Sequence, residues 1–367
     1  MWKKLIAKAV FIIIVPVISV LTCNGCSLQP AAWNPPVKPD LTGKLAENEL
    51  LSTTEWIYLN GWYGPEDIAV DNLGNLYAGV HVGKTDFSDG RIIKIDTMGN
   101  ISEFANTGSW VTGLQFDENQ NLIACDLSRG LISVSRKGEI TILASEDENG
   151  NNFLLPNDVD IASNGIIYFS NTSSKVPFGK LSALKIVLEM RPDGGLYSYN
   201  PATKEVKTLI EGSFFANGVA VSQNDDFVLL VELTKYRILR YWLKGARKGQ
   251  KDVFIDNLPG FPNGISRRKD GSFWLGFTTR RNDFLDKIHP KPFLKKLVYA
   301  LPLWIQPRQE AFGMIMHLSE SGEILKVYYD TSGKYVSEAS SIEEHNGYIY
   351  IGGDLTDHIG KYRLKGD

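Results

Sequence analysis

Cysteine is almost missing from this chain: of three residues, Cys23 and Cys26 stand together near the N-terminus and only Cys125 lies in the body. One thiol cannot build an internal disulfide framework, so the body has to hold its fold by burying apolar surface. Histidine is scarce too, with five residues at positions 81, 289, 317, 345 and 358 and no two at close ligand spacing. An imidazole or thiolate metal centre therefore has no ligands to draw on. No Gly-x-Ser-x-Gly elbow occurs, which leaves a Ser-His-Asp hydrolase without support. Nor is there an excess of positive charge: 39 Lys and Arg against 42 Asp and Glu give a net charge of -3. Without a basic face to neutralise phosphates, nucleic acid is not an expected partner.

Long apolar runs are limited to one, Ala9 to Leu21, interrupted by Pro16 and Ser19 and preceded by Trp2, Lys3, Lys4 and Lys8. This pattern reads as an export signal. The uninterrupted run is shorter than the roughly 20 residues of a spanning helix, which favours cleavage, with an uncleaved signal anchor as the alternative. Cys23 and Cys26, within Val20-Leu21-Thr22-Cys23 and Cys23-Asn24-Gly25-Cys26, resemble imperfect bacterial lipoprotein cleavage boxes. Lipid attachment and an ordinary signal-peptidase site are both open here. Residues 1–28 are assigned to this signal, and residues 29–55, which include Pro30, Pro35, Pro36 and Pro39, to a stiff proline-rich tether. The protein is expected to be exported and held at the cell envelope through its N-terminal anchor or a lipid, or else secreted.

What the chain does have is a repeat. A short polar residue, an alternating apolar strand, a turn of Gly, Asn or Asp and a second apolar strand recur six times. The repeats start at Glu66, Thr112, Asn157, Asn217, Asn263 and Ser340, at intervals of 46, 45, 60, 46 and 77 residues. Alternation with β-branched and aromatic enrichment marks strands, and a period near 45 suits one four-stranded blade. The expected fold is all-β, a six-bladed β-propeller over residues 56–367 with short helical insertions. The two long intervals hold these insertions, Ser173 to Asp193 and Arg280 to Phe312, where apolar spacing is helical. They are candidate lids, with surface decoration or a membrane-contacting ridge as other readings. Their aromatic residues, among them Phe178, Phe284, Phe293, Trp304 and Phe312, suggest an apolar acyl chain or leaving group in a substrate.

Repeats in register place equivalent residues at one height around the axis, so the six starting side chains are expected to ring one mouth of the channel. Glu66, Asn157, Asn217 and Asn263 then bring four oxygen donors together. One carboxylate with neutral amide oxygens suits a hard divalent cation, calcium above all. Taken singly, an Asn-Gly pair before a strand is turn chemistry, because both residues tolerate positive φ; the shared phase of four donors favours the ion. Asp67 and Asp158 follow two of the donors directly, where they would bind a second calcium or cap strand amides.

The run Phe214-Phe215-Ala216-Asn217-Gly218-Val219-Ala220-Val221-Ser222, with Val231-Glu232-Leu233-Thr234-Lys235-Tyr236-Arg237-Ile238 and Arg240-Tyr241-Trp242-Leu243-Lys244-Gly245, resembles the strictosidine synthase-like family. Asn257-Leu258-Pro259-Gly260-Phe261-Pro262-Asn263-Gly264-Ile265-Ser266 and Glu343-Glu344-His345-Asn346-Gly347 carry the same likeness. The resemblance implies the wider superfamily of paraoxonases and gluconolactonases, six-bladed propellers that are mostly calcium-dependent lactone or ester hydrolases. It also implies a metal held by residues that look like Glu66, Asn157, Asn217 and Asn263. Two positions depart from the paraoxonase pattern: Pro262 stands where an additional Asp is found, and Thr112 where a His is proposed to activate water. A base would then be Asp126, Asp158 or a hydroxide on the metal. The glutamate that strictosidine synthase uses to condense an amine with an aldehyde falls at Ser340, with Glu338 two residues earlier.

These readings converge on a calcium-dependent hydrolase of a small lactone or ester. The alternative is a non-enzymatic propeller that binds a ligand or partner at the envelope, and amine–aldehyde condensation is the least supported.

Overall fold

The computed structural model describes residues 27–84, 87–179, 181–302, 304–306 and 309–364. Residues 1–26 of the export signal, with the two cysteines of the lipoprotein reading, lie outside these residues. Among the described residues no helix is long and apolar enough to cross a membrane.

Six antiparallel four-stranded sheets make the six blades. Their innermost strands are Ile68–Val70, Val111–Phe116, Pro156–Ile161, Ala216–Val221, Gly260–Arg267 and Ile342–His345. Each packs against the next, and the last meets the first, so the inner strands close a ring. The alternation that marks the strands in sequence is what the blades need, since one face of each sheet packs on each neighbour. Ala69, Tyr77 and Ile92 of the first blade share a cluster with Leu114, Leu122 and Ile132 of the second, for example. Burying such a side chain is worth roughly 1.5–3 kcal/mol, and repetition around the ring replaces the absent disulfides.

The sixth blade is a composite, which the repeat alone did not reveal. Its outermost strand is Glu55–Tyr58, from the start of the domain, paired with His358–Arg363 in the register Trp56 to Gly360 and Ile57 to Ile359. The N-terminus thereby covers an edge that would otherwise offer open amides to other chains. A chain beginning after Tyr58 is expected to aggregate and to melt lower than one beginning at Ser27, measured by scanning calorimetry and light scattering.

Both insertions enter their blades at the same place, between the second and third strands, and both are helical as the spacing predicts. Helix α1 is Ser182–Glu189, α2 is Asp283–Ile288 and α3 is Pro292–Ala300. Asn282 caps α2 through bonds from the Phe284 and Leu285 amides, and α3 ends two residues before Pro302, whose ring cannot continue a helix. With residues 27–36 these helices make a compact unit of their own. The proline-rich segment is extended but not free within that unit. Leu28 is fully buried, the Gln29 and Ala31 amides donate to Glu189, and the buried Lys295 donates from Nζ to the Ala31 carbonyl.

Candidate functional site

All six repeat-start residues, Glu66, Thr112, Asn157, Asn217, Asn263 and Ser340, line one cavity of about 130 Å3 inside the ring of inner strands. The six side chains therefore share one lining. A backbone device with no signature in the repeat produces this placement. The pairing of the inner strand with its neighbour shifts register between Val111 and Gly113, between Pro156 and Val159, between Ala216 and Val219, and between Pro262 and Ile265. Such bulges re-aim side chains next to functional sites, and Thr112, Asn157, Asn217 and Asn263 sit within them.

The same geometry corrects the turn reading of Asn-Gly. Asn217-Gly218 and Asn263-Gly264 lie inside strands, and none of the four has positive φ. The glycines are there for space: a Cβ on Gly218 would stand 2.5 Å from the Asn263 carbonyl oxygen, and one on Gly264 2.3 Å from that of Ser340. Gly218→Ala is therefore expected to force neighbouring blades apart and lower stability by about 1–3 kcal/mol, the usual range for overpacking, as read from denaturant unfolding.

The residues that follow the ring stitch the blades together. Asp67 accepts from the Ile68 amide at 2.8 Å and, across the blade boundary, from Leu114 at 2.7 Å. Asp158 does the same with Val159 at 2.8 Å and Val219 at 2.6 Å, and Asp160 with Ile161 and Val221, both at 2.7 Å. Of the two roles open to Asp67 and Asp158 in sequence, the structure displays the cap. Thr112 and Ser340, the ring positions without a metal-type donor, also reach across, from their hydroxyls to the carbonyls of Pro156 and Glu66. A two-residue period of polar side chains entering the ring was the available sequence signal for Asp160, and the repeat template passed over it.

Asp126 is not part of this site. It is fully buried outside the cavity lining and accepts from the Ser109 hydroxyl, the Ser128 and Arg129 amides and the Arg129 guanidinium. These donors fix the turn before Gly130–Val134 and occupy the lone pairs a proton acceptor would need. Asp126 is therefore a structural residue and not the base.

Glu66, unlike the bridging Asp67, Asp158 and Asp160, keeps an unsatisfied carboxylate oxygen. It is 7% exposed, and its Oε2 has no hydrogen-bond partner. Burial pushes its carboxyl well above the usual range, with the charges of Asp354, Asp67, Asp158 and Glu338 adding to that. Asp158 is raised well above its usual value by burial and then by Asp67, and burial lifts Asp67 to about 6 against the opposing amide bonds. Glu343, also in the cavity lining, is pushed up to about 8 by burial and the charges of Asp67, Asp160 and Glu344. Among the described residues Arg267 is the one basic side chain of the lining. So many buried acids facing so little positive charge require protons or a cation.

The residues fit a hard cation. A carboxylate oxygen without a donor is the acceptor such an ion needs. The Asn263 amide nitrogen donates to Thr278 Oγ1 at 2.8 Å, which commits that nitrogen and leaves Oδ1 for another partner. Among the described residues no three His, Cys, Asp or Glu side chains group as a metal centre by themselves, so the asparagine oxygens are needed to complete the set. Elsewhere, Cys125 is buried with its thiol pushed up by burial, an inert core residue. The histidines occupy separate settings, His81 against Trp110, His289 against Trp33 and His317 against Trp274.

Comparison with known proteins agrees with the fold. The strictosidine synthase model matches residues 157–246, and the N-terminal model of the strictosidine synthase-like proteins matches residues 43–85. The bovine (Bos taurus) adipocyte plasma membrane-associated protein is 31% identical over 95% of this chain and 88% of its own length. Strictosidine synthase-like protein 10 of Arabidopsis thaliana is 33% identical over 89% of this chain and 91% of its own. Among solved structures, a gluconolactonase of Xanthomonas campestris superposes with a TM-score of 0.61 at 15% identity, covering 92% of this chain and 97% of the other. A luciferin-regenerating enzyme does so with a TM-score of 0.58 at 12% identity, covering 85% and 100%. With the ring, the blades and full-length relatives above 30% identity in agreement, the chain belongs to the strictosidine synthase-like family of six-bladed propellers.

Proposed function

We propose that the chain is a calcium-dependent hydrolase of a small lactone or ester, working at the Glu66 end of the channel. The observation that carries the reading is the buried, donor-less Oε2 of Glu66 in a cavity it shares with Asn157, Asn217 and Asn263. These four residues would hold the ion. When bound, calcium supplies a Lewis acid that polarises the substrate carbonyl and stabilises the charge developing on its oxygen. The likeness in fold to a gluconolactonase supports the reaction class by analogy.

The protein's own share of the work is preorganisation. The bulged strands aim the amide oxygens inward, and the Asp67, Asp158 and Asp160 bridges keep adjacent blades in register, so the donors stay aligned as charge moves. Asp158 is the remaining residue for proton transfer: it lines the cavity, its burial favours taking up a proton, and two amides fix its position. Condensation of an amine with an aldehyde loses ground. Ser340 spends its hydroxyl on the Glu66 carbonyl, and Glu338 is tied to the Leu355 amide and the Gln309 side chain.

The test is turnover of a panel of aryl esters and lactones by the full chain, before and after chelation. Activity lost on chelation and restored by calcium is the expected result. Turnover that ignores chelator would overturn the metal role. Calcium binding without turnover of any substrate would leave a ligand-binding propeller instead.

A further inference from the structure

The sixth blade carries a carboxylate next to the segment that holds Glu66, outside the residues that line the cavity, and nothing in the repeat template accounts for it. Asp354 follows Gly352-Gly353 just beyond the strand Tyr348–Ile351. The turn is stitched to the segment that carries Glu66. Gly353 N–H donates to the Pro65 carbonyl at 3.0 Å, Gly64 N–H to that of Thr356 at 2.9 Å, and Ser340 N–H to that of Gly352 at 3.0 Å. Only glycine fits this approach, because a Cβ on Gly352 would stand 2.4 Å from the Pro65 carbonyl oxygen and 2.6 Å from that of Glu66. Asp354 is thus fixed beside Glu66 by backbone.

Its chemistry matches that of Glu66. Oδ1 of Asp354 is buried without a hydrogen-bond partner, as is Oε2 of Glu66. Its carboxyl is raised well above the usual value, by burial first and by Glu338 next, and it is the largest charge acting on Glu66. Glu338 itself is satisfied, by the Leu355 amide at 2.8 Å and Gln309 at 2.6 Å. Two carboxylates on backbone segments bonded to one another, with one orphan oxygen each, are what a divalent cation would join. The location also answers a gap, since Pro262 leaves the fifth blade without the extra carboxylate that the resemblance implied.

We propose that Asp354 is a direct ligand of the Glu66 cation, so that the ion is held by carboxylates of the first and sixth blades together with the asparagine oxygens. The inference rests on the cation reading above and extends it to a donor outside the six-residue ring. Its consequence is an ion with two formal negative charges around it, and so a tighter site than one glutamate with amides would make.

The experiment uses the full chain, freed of metal by chelation, in three forms: wild type, Glu66→Gln and Asp354→Asn. Calorimetric titration with calcium is expected to show Asp354→Asn weakened by about 10- to 100-fold, since ligand charge count sets the affinity of oxygen sites. Terbium luminescence lifetimes in light and heavy water then count the waters on the ion. Loss of a direct ligand is expected to add about one water in Asp354→Asn. Unchanged affinity in this variant with a functional wild-type site overturns the inference and leaves the ring site standing. Weakened affinity with an unchanged water count also overturns it, reducing Asp354 to a distant charge. No calcium binding by wild type overturns the cation reading itself. Far-ultraviolet circular dichroism of the metal-free forms checks that the isosteric variants fold, and Asp354→Glu, which keeps the charge, is expected to recover most of the affinity.

Discussion

Glu66→Gln is expected to erase the stabilisation that calcium gives the protein. An ion that binds only the folded state stabilises it by mass action, about 4 kcal/mol when free calcium is a thousand times its Kd. Chelation of the wild type is then expected to lower Tm by several degrees, and excess calcium to restore it. The glutamine variant keeps the volume of Glu66 and the bulged strands but loses a formal charge facing the ion. In the metal-free state it is expected to be as stable as wild type or more so, because glutamine removes the cost of keeping this buried carboxyl protonated among Asp354, Asp67, Asp158 and Glu338. The signature is a crossing: glutamine at least equal without calcium, wild type higher with it. Scanning calorimetry of both proteins with chelator and with calcium reads this directly. Asn217→Asp, which adds charge at a buried ring position, is expected to retain or tighten calcium binding. Equal calcium responses in wild type and Glu66→Gln would remove the ion from this site, while the propeller would stand unaffected.

The part of this site visible in the sequence is the part that obeys a period. Glu66, Thr112, Asn157, Asn217, Asn263 and Ser340 were recognisable because a blade repeats its inner strand, and repeats in register put one side chain per blade at one height. Asp160 and Asp354 escaped for different physical reasons. Asp160 is one strand period beyond Asp158 and not at a ring position, and only its bond to Val221 across the blade boundary shows what it does. Asp354 comes from a loop after a second strand, and loops carry no period; its place beside Glu66 depends on backbone contacts spanning almost the whole chain. The outer strand Glu55–Tyr58 was hidden by the same nonlocality, because its partner His358–Arg363 is at the other end of the sequence. Asp126 was mistaken in the opposite direction. A carboxylate at a strand end looks available in sequence, and only the four donors of Ser109, Ser128 and Arg129 show it to be spent.

The acids of the channel also predict a pH response whose sign is fixed by their direction. Glu343 holds its proton up to about pH 8 in the folded protein, against an ordinary glutamate value of 4.5. Between these limits the folded state binds more protons than the unfolded chain, so stability falls as pH rises. Asp67, raised to about 6, and Glu66, Asp158 and Asp354, raised by burial, act in the same direction. Metal-free protein is therefore expected to be most stable near pH 5 and to lose stability steadily towards pH 8. Glu343→Gln cannot ionise, and its melting temperature is expected to fall less over this window. Calcium reverses the trend at the Glu66 end, because the ion takes the place of protons there and binds more tightly as they leave. Its stabilising effect is then larger at pH 8 than at pH 5, and binding releases protons, which titration calorimetry in buffers of different ionisation enthalpy measures as a slope. Melting curves at pH 5, 6.5 and 8, with chelator and with calcium, separate the two contributions. Metal-free stability that rises from pH 5 to 8 would mean these carboxylates are ionised in the folded protein and paired with charges other than a bound cation.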